Sequence, residues 1–151
     1  MSIYKPDKPQ TLIRSFYQNF WNGFNEESRK NDAFIKCFTP HPYGSTRSYQ
    51  DYHIGEPFHV VVGINFRRHE VRVGAYFSDI KAYDNYYKEK STIEDKIGKK
   101  LKWSRHQTKG SAFLYATADF DENHGWEDAF EVAIENMLLI NNTFKYEQES
   151  R

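Results

Sequence analysis

Apolar residues along this chain recur at intervals of three and four, then of two, then of three and four again, and each change of period marks an element. Over residues 9–29, Ile13, Phe16, Tyr17, Phe20, Trp21 and Phe24 keep helical spacing, with Pro9 suited to the first turn and Gln18, Asn19, Asn22 and Asn25 around the aromatic stripe. Ala33 to Phe38 reads as a short strand or an extended lead-in, ended by Pro40 and Pro42. "YGSTRS" has turn chemistry, Ser48 to Ile54 alternates weakly as a strand, and Gly55-Glu56-Pro57 supplies a turn. "FHVVVGINF" is the plainest strand, with Phe58, Val60, Val62, Ile64 and Phe66 on one face. Arg67-Arg68 makes a tight connection into "HEVRVGAYF", whose Val71, Val73, Ala75 and Phe77 point inward while Arg72 and Tyr76 point out.

Ser78 or Asp79 can cap a second long helix carrying Tyr83, Tyr86, Tyr87, Ile93 and Ile97, and Gly98 is its expected left-handed stop. Leu101 and Trp103 alternate with Lys102 and Ser104, so a strand follows, "RHQTKGS" turns, and Ala112 to Ala118 returns as its partner. After an acidic loop at Asp119–Gly125, the residues Trp126, Phe130, Ala133, Met137, Ile140 and Phe144 step by three and four along a C-terminal helix, with a frayed tail expected at "YEQESR". The predicted order is helix, three strands, helix, two strands, helix: an α+β fold with an antiparallel or mixed five-stranded sheet.

Composition narrows the class. A chain of 151 residues fits one domain, taken as 1–151 with an ordered core at about 9–146, and 17% aromatic content speaks against disorder. Lys plus Arg and Asp plus Glu are both 21, so no whole-molecule basic field draws nucleic acid and any such site must be local. Cys37 is the single cysteine and suits a reducing cytoplasm. "MSIYKPDKPQ" lacks the apolar run of a signal peptide, and no apolar stretch is long enough to span a membrane.

A family resemblance enters through the runs "GSTRSYQDYHIGEPFHVVVGINFRRHEVRVGAYF" and "YDNYYKEKSTIEDKIGKKLKWSRHQTKGSAFLYATADFDENHGWEDAFEVAIENM". They resemble the bacterial family called domain of unknown function 4268, over about Leu12 to Phe144. The most telling pieces are Ile93-Glu94 followed by Gly98, Leu101 and Trp103, then Trp126 at the last helix. None is a catalytic motif. Some members carry the domain beside a nuclease-like module, so the resemblance implies a link to restriction or genome defence.

The element order also suits a PD-(D/E)xK nuclease, which needs an acid on the second strand and Glu-x-Lys on the third to hold Mg²⁺. Here the third strand offers Glu70-Val71-Arg72, Arg cannot act as a base, and the second strand has only Glu56 before it. The catalytic set is therefore incomplete, and no catalytic residue and no cofactor is assigned. His41, His53, His59, His69, His106 and His124 show no zinc spacing, so no metal site is assigned either. Cys37 reads as a buried apolar cysteine. Arg47, with Ser45, Thr46 and Ser48, offers generic anion donors.

The run from Lys96 to Lys109 holds no acid. Lys99, Lys100, Lys102, Arg105 and His106, with Arg67, Arg68 and Arg47, make a candidate ligand or nucleic-acid face beside Trp103. The structural reading is that these lysines complement a helix C-terminus and protect an edge strand, with Trp103 in the core. The expectation is a cytoplasmic bacterial binding or accessory domain that acts on a protein partner or on itself as a dimer. The alternative is a nucleic-acid-binding or degenerate nuclease-like protein of genome defence.

Overall fold

Helical and alternating stretches meet across one aromatic core in the computed structural model, which describes residues 8–149. Helix α1 (Lys8–Arg29) is followed by α2 (Asp32–Cys37), then strands β1 (Tyr49–Tyr52), β2 (His59–Asn65) and β3 (Glu70–Phe77). Helices α3 (Ile80–Tyr87) and α4 (Lys90–Ile97) lead to β4 (Lys102–Arg105) and β5 (Gly110–Thr117), and α5 (Glu127–Glu149) closes the order. All five strands lie in one antiparallel sheet ordered β1-β2-β3-β5-β4. The expected α+β fold is what forms, with the sheet antiparallel throughout.

Three local expectations are corrected. Ala33–Cys37 lies in a helix, not a strand or extended lead-in, and only Phe38 is extended: the Asn31 side chain caps α2 by accepting from the Phe34 N–H at 2.9 Å. Six residues are too few for periodicity to separate a turn and a half of helix from a strand. The expected single helix after Asp79 is two, broken at Lys88 and Glu89; Asp79 caps the first by accepting from the Lys81 N–H. The break lets Tyr83 and Tyr86, then Ile93 and Ile97, each face the core from separately oriented axes. The tail expected to fray at Tyr146 continues as helix through Glu149, and its last two residues lie outside the described ones.

Helix α5 lies along β3 and β2, and the inward residues Val60, Val62, Val71, Val73, Ala75 and Leu114 pack beneath it with Met137, Ile140 and Phe144. Fully burying side chains of this size is worth about 1.5–3 kcal/mol each. Helix α1 adds Phe20, Trp21 and Phe24, all fully buried. Asn25 and Gln50 are buried polar residues whose amides exchange two hydrogen bonds, and Gln50 also donates to the Tyr52 hydroxyl at 2.9 Å. That network ties α1 to edge strand β1, because a buried amide left unpaired would cost more than the bond returns. Burial dominates at Tyr52, pushing its phenol well above the ordinary range.

The alternate residues of the strands form a second face that the core does not absorb. Val61 is 9% exposed yet lies outside the core cluster. Its neighbours on that face, Arg72, Tyr76 and Phe113, are half-buried, and Tyr115 and Lys102 are exposed. No helix shields this face among the described residues, as an antiparallel sheet permits.

Candidate functional site: the helix-free sheet face and its rim

The eight sequence-selected cations do not form one patch. Arg67 and Arg68 sit in the β2–β3 turn, beside the rung that pairs Glu70 with Thr117. Arg105 and His106 flank the β4–β5 turn, beside the rung that pairs Arg105 with Gly110. These turns lie at opposite ends of β5, about 23 Å apart at strand rise. Arg47 is drawn into its own loop: its carbonyl accepts from the Trp21 indole at 2.8 Å, its N–H donates to Ser45 Oγ and its guanidinium donates to the Tyr49 hydroxyl.

Arg105 is engaged as well. Its guanidinium donates to both carboxylate oxygens of Asp84, at 2.9 and 3.0 Å. That hydrogen bonding outweighs desolvation, holds the Asp84 carboxyl below the ordinary range and raises Arg105. Lys99, Lys100 and Lys102 remain exposed at edge strand β4 and make no ion pair among the described residues. Trp103 faces the core side only in part, and its indole donates to Glu94 at 3.1 Å. The nuclease-type acids are also apart. Glu56 precedes β2, whose first residue pairs with Tyr76, while Glu70 lies opposite Asn65 at the far end, about 20 Å along the strands. Glu56 instead pairs with Lys145 at 3.8 Å.

What the strands do assemble is the helix-free face. Its central rung runs Asp51, Val61, Gly74, Phe113, Lys102 across all five strands. Small residues lie at its middle and opposite charges at its two edges. On the next rung Arg72 stands opposite Gly63 and next to Tyr115, with its guanidinium 5.1 Å from the Phe113 ring centroid. A side chain at Gly63 would collide with Arg72, so the glycine is what lets the guanidinium lie flat on the sheet. On the helical side of the sheet, between α1 and the end of β2, a groove of about 590 Å³ is lined by Leu12, Ile13, Phe16, Tyr17, Phe66 and Arg67. Leu12 and Ile13 are 59% and 51% exposed there.

At the β1 edge three further side chains converge. Asp51 is on β1, His53 follows two residues later on the same face, and His59 opens β2. Asp51 Oδ2 lies 3.4 Å from His53 Nε2 and 3.4 Å from His59 Nδ1. Asp51 and His53 stand two apart in the sequence, a spacing that assigned no metal site. His59 joins them only through the hairpin register that the Gly55-Glu56-Pro57 turn sets, which spacing does not reveal.

These features define an α+β protein with one helical layer and an exposed sheet face that is aromatic at its centre and charged at its rim. Residues 16–147 match the model of the family described as Domain of unknown function (DUF4268), and the chain belongs to that family. No curated protein and no solved structure matches it. No described helix is long and apolar enough to cross a membrane.

Proposed function

We propose that this chain is a non-catalytic binding domain of the bacterial cytoplasm that associates with a second copy of itself through the helix-free sheet face. One observation carries the reading: the central rung places Asp51 on one edge strand and Lys102 on the other, equidistant in strand order from Gly74 on the middle strand. A two-fold axis along β3 lays each edge over the opposite edge of the second copy. Each Asp51 then meets Lys102 of the second copy, while Val61, Phe113 and Tyr115 meet at the centre.

Aromatic residues and arginine at the centre with charge at the rim is the composition of a protein interface. Five strands of four to eight residues, about 4.8 Å apart, give a face of roughly 500 Å². A stable dimer buries roughly 800 Å² per partner, so the side chains at the rim of the face must contribute the rest.

Sedimentation equilibrium tests this. The wild type should show a concentration-dependent dimer that Phe113→Asp or Lys102→Glu shifts to monomer. A strict monomer, or a dimer untouched by both substitutions, overturns the reading.

Lys99, Lys100 and Lys102, exposed and in no ion pair among the described residues, favour nucleic acid as a second reading, in keeping with a genome-defence role. It requires salt-dependent DNA or RNA binding that is lost when all three become Glu. Unchanged binding removes it.

A further inference from the structure

The cluster at the β1 edge has the geometry of a metal site. The ligand atoms of Asp51, His53 and His59 all lie within 4.8 Å of one another. Tetrahedral ligands at about 2.1 Å from a zinc ion stand about 3.4 Å from each other. Both nitrogen-to-Oδ2 separations are 3.4 Å.

The groups approach without satisfying one another. His59 Nδ1 is buried and makes no hydrogen bond despite its closeness to the carboxylate, and Asp51 Oδ1 is buried and unpartnered too. Buried polar atoms normally find partners, so atoms that converge while their hydrogen-bonding directions miss one another point to a shared third body. The imidazole rings of His53 and His59 lie 3.8 Å apart between centroids at 47°. The surroundings fix the ligands from behind. His41 Nε2 lies 2.8 Å from the Asp51 carbonyl oxygen, and His59 packs against the Tyr76 ring. The first holds the Asp51 backbone and the second the His59 ring.

We infer that Asp51, His53 and His59 bind a divalent first-row transition metal, zinc by ligand preference, through three protein ligands with a fourth position open to solvent. Two imidazoles and a carboxylate suit zinc over magnesium or calcium, which prefer all-oxygen sites. His53 is the outer ligand, with its side chain 70% exposed. The inference stands whether or not the chain self-associates. Zinc and a docked second copy would compete for Asp51, so the test belongs below the association concentration.

The experiment is isothermal titration of the full, tag-free chain with zinc chloride, alongside cobalt(II), whose visible absorption reports coordination directly. One zinc per chain is expected, weakened at least roughly 10–100-fold by His53→Ala and by Asp51→Asn, as expected when a metal site loses a supporting group. His53 is exposed, so its variant should fold as the wild type does, and circular dichroism checks this. His59→Gln adds the inner ligand. Absence of stoichiometric binding by the wild type overturns the inference, as does binding that His53→Ala and Asp51→Asn leave unchanged.

Discussion

The Glu94 carboxylate of α4 accepts the Trp103 indole N–H at 3.1 Å and, through the same oxygen, the Leu101 backbone N–H at 2.8 Å. One side chain thus fixes the path from helix to strand β4, and the Ile93-Glu94, Gly98, Leu101, Trp103 pattern is accounted for as a structural corner. Burial would raise the Glu94 carboxyl, but the two hydrogen bonds, with Lys90 and Lys100 nearby, hold it below the ordinary range. Glu94→Ala should cost about 1–2 kcal/mol, the range for partly exposed hydrogen bonds to a charged acceptor. Because the folded pKa is the lower one, this stabilisation is present above the unfolded value of about 4.3 and is lost as pH falls through the folded one. Urea denaturation at neutral and acid pH checks it: the gap between wild type and variant should narrow in acid.

That corner also shows which parts were legible. Gly98 as the stop and Leu101 turning inward follow from local chemistry, and both hold. So do the periodic stretches of α1 and α5 and the alternating stretches of β2 and β3. Helix α2 was not legible because its evidence is one Asn31 cap and one buried Phe34 in six residues. The break at Lys88 and Glu89 was hidden because the residues on either side keep helical spacing. The site was the least legible. Arg67 lies in one turn and Arg105 closes the strand before another, and only the register shows them at opposite ends of β5. Asp51, His53 and His59 belong together only once β1 and β2 are paired.

Two glycines should differ in what they tolerate. Gly98 sits at φ 81° and its N–H donates to the Glu94 carbonyl, while a Cβ there would meet nothing within 4 Å. Gly98→Ala therefore carries only the left-handed backbone penalty, about 1 kcal/mol. A Cβ at Gly74 would strike the Ala112 carbonyl oxygen and come within 2.6 Å of the Phe113 ring. Gly74→Ala should cost roughly 2–3 kcal/mol by overpacking. Thermal denaturation of the two variants should rank them in that order.

Lys96 and Glu147 explain why the C-terminal helix does not end early. The ammonium donates to the carboxylate at 2.8 Å and lies 3.6 Å from the Tyr146 ring centroid, while the Glu147 side chain is only 6% exposed. Removing one partner of a buried pair strands the other charge. Lys96→Met should cost about 1–3 kcal/mol, less than for a fully buried pair because Lys96 reaches solvent. Adding Glu147→Leu to Lys96→Met should restore much of the loss. A double-mutant cycle from chemical denaturation would show non-additivity, and purely additive effects would mean the pair is not coupled.

The acidic loop before α5 carries a pH-sensitive contact of opposite sign. His124 Nδ1 lies 2.8 Å from Asp119 Oδ2, and Asp119 also accepts from the Asp121 backbone N–H. Asp119, through that hydrogen bond, and then the charge of Asp121 raise the His124 imidazole above its ordinary range. The Asp121 N–H first and His124 second lower the Asp119 carboxyl, with His69 a smaller contributor. A folded pKa raised above the unfolded value of about 6.5 stabilises fully below that value and is lost as pH rises through the folded one. The loop is also tied to the helix, since Asp128 of α5 accepts from the Asp119 N–H at 2.8 Å, so neutralising His124 should loosen the entry to α5. An NMR titration of the six imidazoles should place His124 above the usual range in the wild type. Asp119→Asn should bring it back down, and a His124 titration unmoved by that substitution would show that the contact does not form in solution.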